Sequence, residues 1–136
     1  MEIIRRNTDY ALRALVHLAR DFHQDNPVSA RQLAEQEDIS YQFVCKIMQK
    51  LQKGGFVKSC MGSVGGFRLA KDPSQLNLLN IIASVQGPVK LNKCLADKKA
   101  CRRRSKCPVN KKLCQLQTHI DSLLKDITLD KLKGSE

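Results

Sequence analysis

Apolar residues recur at helical spacing in three segments near the start of the chain. The first segment runs from Thr8 to Phe22, with Thr8 or Asn7 as its predicted cap. The second, SARQLAEQED, opens at Ser29, which can form a capping box with the glutamine three residues later. The third follows a cap at Ser40 and ends at a glycine pair, which commonly stops a helix. The pattern therefore predicts three consecutive helices.

The third helix divides into two faces of different character. Its inner face is apolar and consists of Phe43, Val44, Ile47, Met48 and Leu51. Its outer face is polar and basic and carries Gln42, Cys45, Lys46, Gln49, Lys50 and Lys53. A short helix, a tight turn and a longer helix with such an outer face predict a helix-turn-helix motif.

Two short strand patterns follow the helix-turn-helix. FVKSCM and FRLA flank the glycine-rich turn GSVGG, which is the pattern of a β-hairpin. A hairpin placed directly after a recognition helix is the wing of a winged helix-turn-helix. Residues 1–72 are therefore predicted to form a DNA-binding domain.

Residues 73–136 are predicted to hold a linker helix, a cysteine-containing loop and a long C-terminal helix. Asp72-Pro73-Ser74 opens the linker helix, QLNLLNIIASVQ, and Gly87-Pro88 ends it. The loop covers residues 88–107, and Pro108 suits the first turn of a helix over 108–127. The fold class is thus mainly α: a winged helix-turn-helix with a two-stranded wing, this loop and a dimerisation helix.

The C-terminal helix carries a heptad pattern. Its apolar residues alternate spacings of four and three along the helix: Val109, Leu113, Leu116, Ile120, Leu123 and Ile127. Such a seam suits pairing with a second helix, so we expect a homodimer. A helix that packs on the core of its own subunit is the alternative interpretation.

Charge supports nucleic acid as the partner. The chain has 24 Lys and Arg against 13 Asp and Glu, a formal net charge of +11. Glutamine can read adenine edges, and lysine can contact guanine or phosphate. The candidate DNA contacts are Ser40, Tyr41, Gln42, Cys45, Lys46, Gln49, Lys50, Lys58, Gly62, Ser63, Gly65, Gly66 and Arg68.

Three cysteines lie in the strongly basic loop. Cys94 and Cys101 are separated by six residues, and Cys101 and Cys107 by five. The start of the chain lacks the apolar run of a signal peptide, and no segment approaches membrane-spanning length, so we expect a cytoplasmic protein with no membrane partner. Grouped thiols in that compartment indicate iron–sulfur or zinc before disulfide, because thiolates bind soft metals. Tight Cys-x-x-Cys pairs, the usual zinc spacing, are absent from the sequence.

The motifs together resemble a known family. NTDYALRALVHLA, the helix-turn-helix, MGSVGGFRLAKDPSQL, the three loop cysteines and ITLDKL resemble the iron–sulfur winged-helix repressors, such as the cluster-assembly regulator and the nitric-oxide-sensing repressor. The resemblance implies a homodimer on a palindromic operator in double-stranded DNA. It also implies a 4Fe–4S cluster, with 2Fe–2S as the alternative, whose state sets DNA affinity. Some relatives lack the cluster.

The resemblance makes Cys94, Cys101 and Cys107 the cluster ligands, and a fourth is needed. Where the cluster-assembly regulator has a histidine, this chain has Asn110, a poor iron ligand. The nitric-oxide sensor uses an aspartate of the partner subunit's first helix, which Asp9 matches in position. The rival is Cys114, one helical turn beyond Asn110. Of the two, we favour Asp9.

These features predict a transcriptional regulator, a repressor that senses redox state, nitric oxide or iron–sulfur status. A cluster-free regulator that oxidises its loop cysteines would use the same DNA-binding domain and is the main alternative. A small electron-transfer protein would explain the cysteines but would leave the helix-turn-helix and wing without a purpose. The sequence shows no catalytic triad, phosphate loop or paired-carboxylate motif, so an enzyme is not expected.

Overall fold

Helices dominate the fold, and a single β-hairpin interrupts them. A computed structural model describes residues 2–24, 26–62 and 65–134. Its elements are α1 (Arg6–Arg20), α2 (Ala30–Glu37), α3 (Tyr41–Lys53), β1 (Val57–Cys60), β2 (Gly66–Leu69), α4 (Leu78–Gln86), α5 (Lys93–Ala96), α6 (Pro108–Asp126) and α7 (Leu129–Leu132). This order confirms the predicted winged helix-turn-helix with a two-stranded wing and a long C-terminal helix.

Serine caps begin both helices of the helix-turn-helix, as predicted. The Ser29 Oγ accepts a hydrogen bond from the Gln32 N–H at 3.1 Å, and the Gln32 Oε1 accepts one from the Ser29 N–H at 2.9 Å. The Ser40 Oγ accepts from the Phe43 N–H at 3.3 Å. Between the helices, Asp38 adopts a left-handed backbone conformation (φ 53°) that turns the chain. The turn and caps therefore fix where the recognition helix α3 begins.

The apolar faces of α1 to α4 meet in one core. Leu15, Leu33, Met48, Leu51 and Ile81, which come from these four helices, are all 0% exposed. Burying a side chain of this size stabilises a fold by about 1.5–3 kcal/mol. The predicted inner face of α3 is therefore the face that packs on the core, and its polar face is left outside.

The wing is attached to the segment before α2 by backbone hydrogen bonds. β1 and β2 pair antiparallel, with Val57 opposite Leu69. The Val28 N–H donates to the Phe67 carbonyl at 2.9 Å, and the Phe67 N–H donates back at 2.8 Å. A Cβ on Gly66 would lie 2.5 Å from the Val28 carbonyl oxygen, so the bridge needs glycine there.

Three predicted helix boundaries were wrong, two in the first helix and one in the linker helix. The first helix begins at Arg6 and ends at Arg20, and the predicted cap Thr8 is fully buried within its first turn. The linker helix begins at Leu78, whereas residues 73–75 form a separate 3-10 turn. The Asn77 side chain caps this helix, accepting from the Asn80 N–H at 2.9 Å.

The late start of α4 has a tertiary cause. The Leu78 N–H donates to the Ile127 carbonyl at 2.9 Å, and the Leu129 N–H donates to the Leu76 carbonyl at 2.9 Å. The backbone at Leu76 is therefore extended and paired with the chain after α6. This pairing also positions α7, which the sequence pattern did not predict, so that Leu129 is completely buried.

The predicted cysteine loop is partly ordered into helical turns. It contains α5 and a 3-10 turn over Arg104–Lys106 before Pro108 starts α6, as the proline predicted. Among the helices of the described part of the chain, none combines the length and apolar composition that crossing a membrane requires.

Gly66→Ala should destabilise the wing, because the new methyl group would force the Val28 bridge apart. We expect a loss of about 1–3 kcal/mol in the free energy of unfolding, measured by thermal or urea unfolding at fixed protein concentration. Ser59→Ala, an exposed position on the same hairpin, is the control and should change stability little. Equal stability of the two variants would contradict the close approach of Gly66 to Val28.

Candidate nucleic-acid interface and metal centre

The outer face of α3 is available for contact with DNA. Gln42, Lys46 and Gln49 are exposed, and Cys45 is half-buried among them. Acidic side chains are absent from this helix, so its surface favours a polyanion. Lys50 is also exposed, but its Nζ donates to the Val85 carbonyl at 3.3 Å. That hydrogen bond directs the Lys50 ammonium toward the end of α4.

The start of the recognition helix carries a cation–π pair that sequence reasoning missed. The Arg31 guanidinium of α2 lies 4.9 Å from the centroid of the Tyr41 ring. Tyr41 is 46% exposed, so the pair lies at the surface. A cation–π contact at an exposed site stabilises this orientation of the ring by about 0.5–1 kcal/mol. A predicted DNA contact is thus positioned by a neighbouring helix, ten residues earlier in the chain, and no local pattern indicated it.

The wing presents an exposed tip on a buried base. Lys58 is exposed and Arg68 half-buried on the paired strands, where they lie opposite each other. The Gly65 N–H donates to the Gly62 carbonyl at 3.1 Å, a hydrogen bond that closes the turn between the two strands. Met61 is 97% exposed beside this turn.

One predicted wing contact cannot be placed. Ser63 lies outside the described residues. Gly66, another predicted contact, has the structural role at the Val28 bridge described above.

Three cysteines line one open groove beside the start of α6. Cys101, Cys107 and Cys114 border this groove, whose volume is about 910 Å³. Every charged side chain along it is basic: Lys98, Arg102, Arg104, Lys106 and Lys111. Such surroundings would offset the negative charge of a thiolate-bound metal group.

Hydrogen bonds through Asn110 connect Cys94 with Cys114. Cys94 is 9% exposed and Asn110 is 8% exposed. The Asn110 Nδ2 donates to the Cys94 Sγ at 3.1 Å, and the Cys114 Sγ donates to the Asn110 Oδ1 at 3.7 Å. The asparagine therefore lies between two thiols, one on α5 and one on α6. Sequence reasoning considered Asn110 only as a poor iron ligand and missed this contact.

The thiols are gathered but do not converge on one point. Within residues 2–24, 26–62 and 65–134, no group of three or more His, Cys, Asp or Glu side chains is arranged to hold a metal ion. The donor chemistry nevertheless fits an iron–sulfur cluster, which cysteine thiolates bind. Cys101, Cys107 and Cys114 lie along a groove lined with positive charge. The Asn110 amide contacts both Cys94 and Cys114.

Asp9 is located elsewhere in this chain. Its side chain is 57% exposed on α1, and its Oδ2 lies 3.8 Å from the Nε of Arg13. It borders a small cavity together with Arg6 and Tyr10. The structure contains a single chain, so the predicted approach of Asp9 to a partner subunit's loop stays a prediction.

α6 has an exposed apolar stripe and a buried polar contact on another face. Val109, Leu116 and Leu123 lie seven residues apart and are 60%, 49% and 64% exposed. Buried Gln117 accepts from the Leu91 N–H at 3.0 Å and donates to the Val89 carbonyl at 2.8 Å. The buried face of α6 thus holds the start of the cysteine loop. Of the predicted seam, Val109, Leu116 and Leu123 are exposed, whereas Leu113 and Ile120 are half-buried.

Comparison with known proteins assigns this architecture to a class. Residues 4–134 match the Rrf2 family, described as iron-dependent transcriptional regulator. An HTH-type transcriptional regulator of Haemophilus influenzae is 32% identical over 123 residues, or 90% of this chain and 81% of that protein. The HTH-type transcriptional regulator IscR of Vibrio cholerae is 32% identical over 123 residues, covering 90% of this chain and 70% of that protein.

Solved structures show the same fold. IscR of T. potens superposes with a TM-score of 0.74 at 26% identity, covering 95% of this chain and 84% of that one. CymR, the global cysteine regulator of B. subtilis, superposes with a TM-score of 0.79 at 22% identity, covering 98% and 97%. The fold and the site thus define a winged-helix transcriptional regulator. The chain belongs to the Rrf2 family, whose matched members are regulators and not enzymes, as the sequence predicted.

Lys46→Met should weaken DNA binding, because it removes a positive charge from the outer face of α3. We expect lower affinity for every sequence tested and a slope of log affinity against log salt that is smaller by about one. Fluorescence anisotropy over a salt series measures both quantities. Lys125→Met, an exposed charge on α6, is the control. Equal loss in the two variants would contradict the assignment of α3 as the DNA-contacting surface.

Proposed function

We propose that this protein is a homodimeric repressor whose affinity for a palindromic operator is set by an iron–sulfur cluster. The observation that carries the proposal is the gathering of thiols along one basic groove, where the cysteine loop meets α6. The family description, iron-dependent transcriptional regulator, supports the same function. The signal is redox state, nitric oxide or iron–sulfur status.

Cys94, Cys101 and Cys107 are the proposed ligands, and the fourth is Asp9 of the partner subunit or Cys114. When bound, the cluster supplies a group that oxidants and nitric oxide can attack; a 4Fe–4S cluster is favoured and 2Fe–2S is the alternative. The cations around the groove would stabilise the thiolates in either case.

Two polar contacts can transmit a change in the loop to the DNA-binding face. Gln117 joins the start of the loop, at Val89 and Leu91, to α6. Lys50 joins the recognition helix α3 to the carbonyl of Val85 in the last turn of α4. Because α4 leads directly into the loop, rearrangement of the loop would change the position of α3 relative to α6.

The exposed stripe on α6 is the proposed dimer interface. Apolar side chains repeated every seven residues on an open helix face favour association with a second helix of the same kind. A two-fold dimer would present two recognition helices to two half-sites, which explains a palindromic operator.

Anaerobic reconstitution with iron and sulfide tests the cluster. The wild-type protein should become coloured and bind both elements, measured by absorbance and chemical analysis, because the thiols along the groove supply the ligands. Cys101→Ser should lose most of this binding, whereas Cys60→Ser, a half-buried cysteine of the wing, should retain it.

A colourless wild-type protein without iron would refute the cluster. A cluster-free thiol switch would then be indicated if peroxide altered DNA affinity in the wild type but not in Cys101→Ser.

Leu116→Asp should convert the dimer into monomers, because the carboxylate would be buried in the apolar seam. Sedimentation measures the mass, and operator affinity should fall by at least about tenfold because one half-site contact is lost. Ser122→Asp, on another exposed face of α6, is the matched control. A monomeric wild type, or a dimeric Leu116→Asp, would show that the stripe is not the interface.

A further inference from the structure

We infer that Cys114 is the fourth sulfur ligand of the cluster, supplied by the same chain as Cys94, Cys101 and Cys107. This inference rests on the proposed function of the loop as a cluster site. It changes the expected ligand set from three thiolates and a partner's carboxylate to four thiolates within one subunit.

The position of Cys114 is the first support. Its side chain borders the same groove as Cys101 and Cys107. It is half-buried, so it is accessible from the groove without being freely solvated. Because Cys114 lies within the long helix α6, its backbone is held in place by the helix.

The Asn110 amide is the second support, because it connects Cys114 with the one loop thiol that does not border the groove. Asn110 and Cys114 are four residues apart and share one face of α6. The amide donates to the Cys94 Sγ and accepts from the Cys114 Sγ. The Asn110 side chain thus lies between the two sulfurs and contacts both. When the thiols bind as thiolates, the Asn110 Nδ2–H can keep its hydrogen bond to the Cys94 sulfur, a contact that commonly tunes clusters. The hydrogen bond from Cys114 is given up, because its proton is lost. Asn110 is therefore a positioning residue for Cys94.

Donor chemistry is the third support. Both common cluster types are usually held by four cysteine thiolates, and soft sulfur ligands suit them better than a carboxylate. Five basic side chains line the groove and can offset the charge of four thiolates with their cluster.

The ligand variants are compared after anaerobic reconstitution of the full chain. Cys114→Ala should retain less than about half of the wild-type iron and sulfide, and Cys114→Ser should show a changed visible absorption and electron paramagnetic resonance spectrum. Asp9→Asn should match the wild type in both measurements. Cys45→Ser, a half-buried cysteine on α3, is the matched control. Far-UV circular dichroism of each apoprotein shows that the variants are folded.

A mixed dimer tests whether the site lies within one chain. One subunit is wild type, and the other carries Cys101→Ser with Asp9→Asn. Ligation by Cys114 predicts one cluster in this dimer, held entirely by the wild-type subunit. Ligation by the partner's aspartate predicts none, because the intact loop then faces an asparagine.

The outcomes distinguish a failure of the Cys114 ligand from a failure of the proposed cluster. Wild-type spectra and iron content in Cys114→Ala, together with an altered Asp9→Asn protein or an empty mixed dimer, would overturn the role of Cys114 and leave the cluster intact. A wild-type protein that takes up no iron would overturn the proposed function and the inference with it.

Discussion

The packing of α4 is the constraint on which both halves of the molecule depend. Ile81, Ile82 and Val85 of this helix are 0%, 2% and 4% exposed. α4 contacts α1 and α3 of the winged helix-turn-helix and the long C-terminal helix α6. Burial of this apolar surface stabilises the contact between the helices. Hydrogen bonds at the end of α4 add directional contacts to this packing.

Polar side chains near the end of α4 add hydrogen bonds to this apolar packing. Gln86 accepts from the Arg5 N–H at 2.9 Å and donates to the Ile3 carbonyl at 2.9 Å, which holds the segment before α1. Lys50 of the recognition helix donates to the Val85 carbonyl of α4, and Gln117 of α6 accepts from the Leu91 N–H at the start of the loop. Each replaces hydration of a backbone group with a partner of defined geometry. If the loop receives the signal, as proposed above, these contacts are the route by which a change of position there would reach α3.

The sequence could predict what depends on local chemistry. The caps at Ser29 and Ser40 follow from side-chain hydrogen bonds within one turn, and both predictions are confirmed. The start of α4 could not be predicted, because it is set by pairing of Leu76 with Leu129 across a large separation in sequence. The cysteine trio was found by its spacing, whereas the position of Asn110 against Cys94 depends on how the loop folds onto α6.

The wing combines backbone positions that require glycine with one freely exposed side chain, and this has an evolutionary consequence. A side chain on Gly66 or Gly65 would meet a backbone carbonyl oxygen, at 2.5 Å and 2.8 Å, and Gly62 has a φ of +121°. Met61, in contrast, is 97% exposed. Substitutions at the three glycines therefore cost the fold stability, whereas substitutions at Met61 cost little. A lineage carrying this domain can change the side chain at position 61 by drift, while the glycines and the Val28 bridge keep the course of the hairpin backbone unchanged.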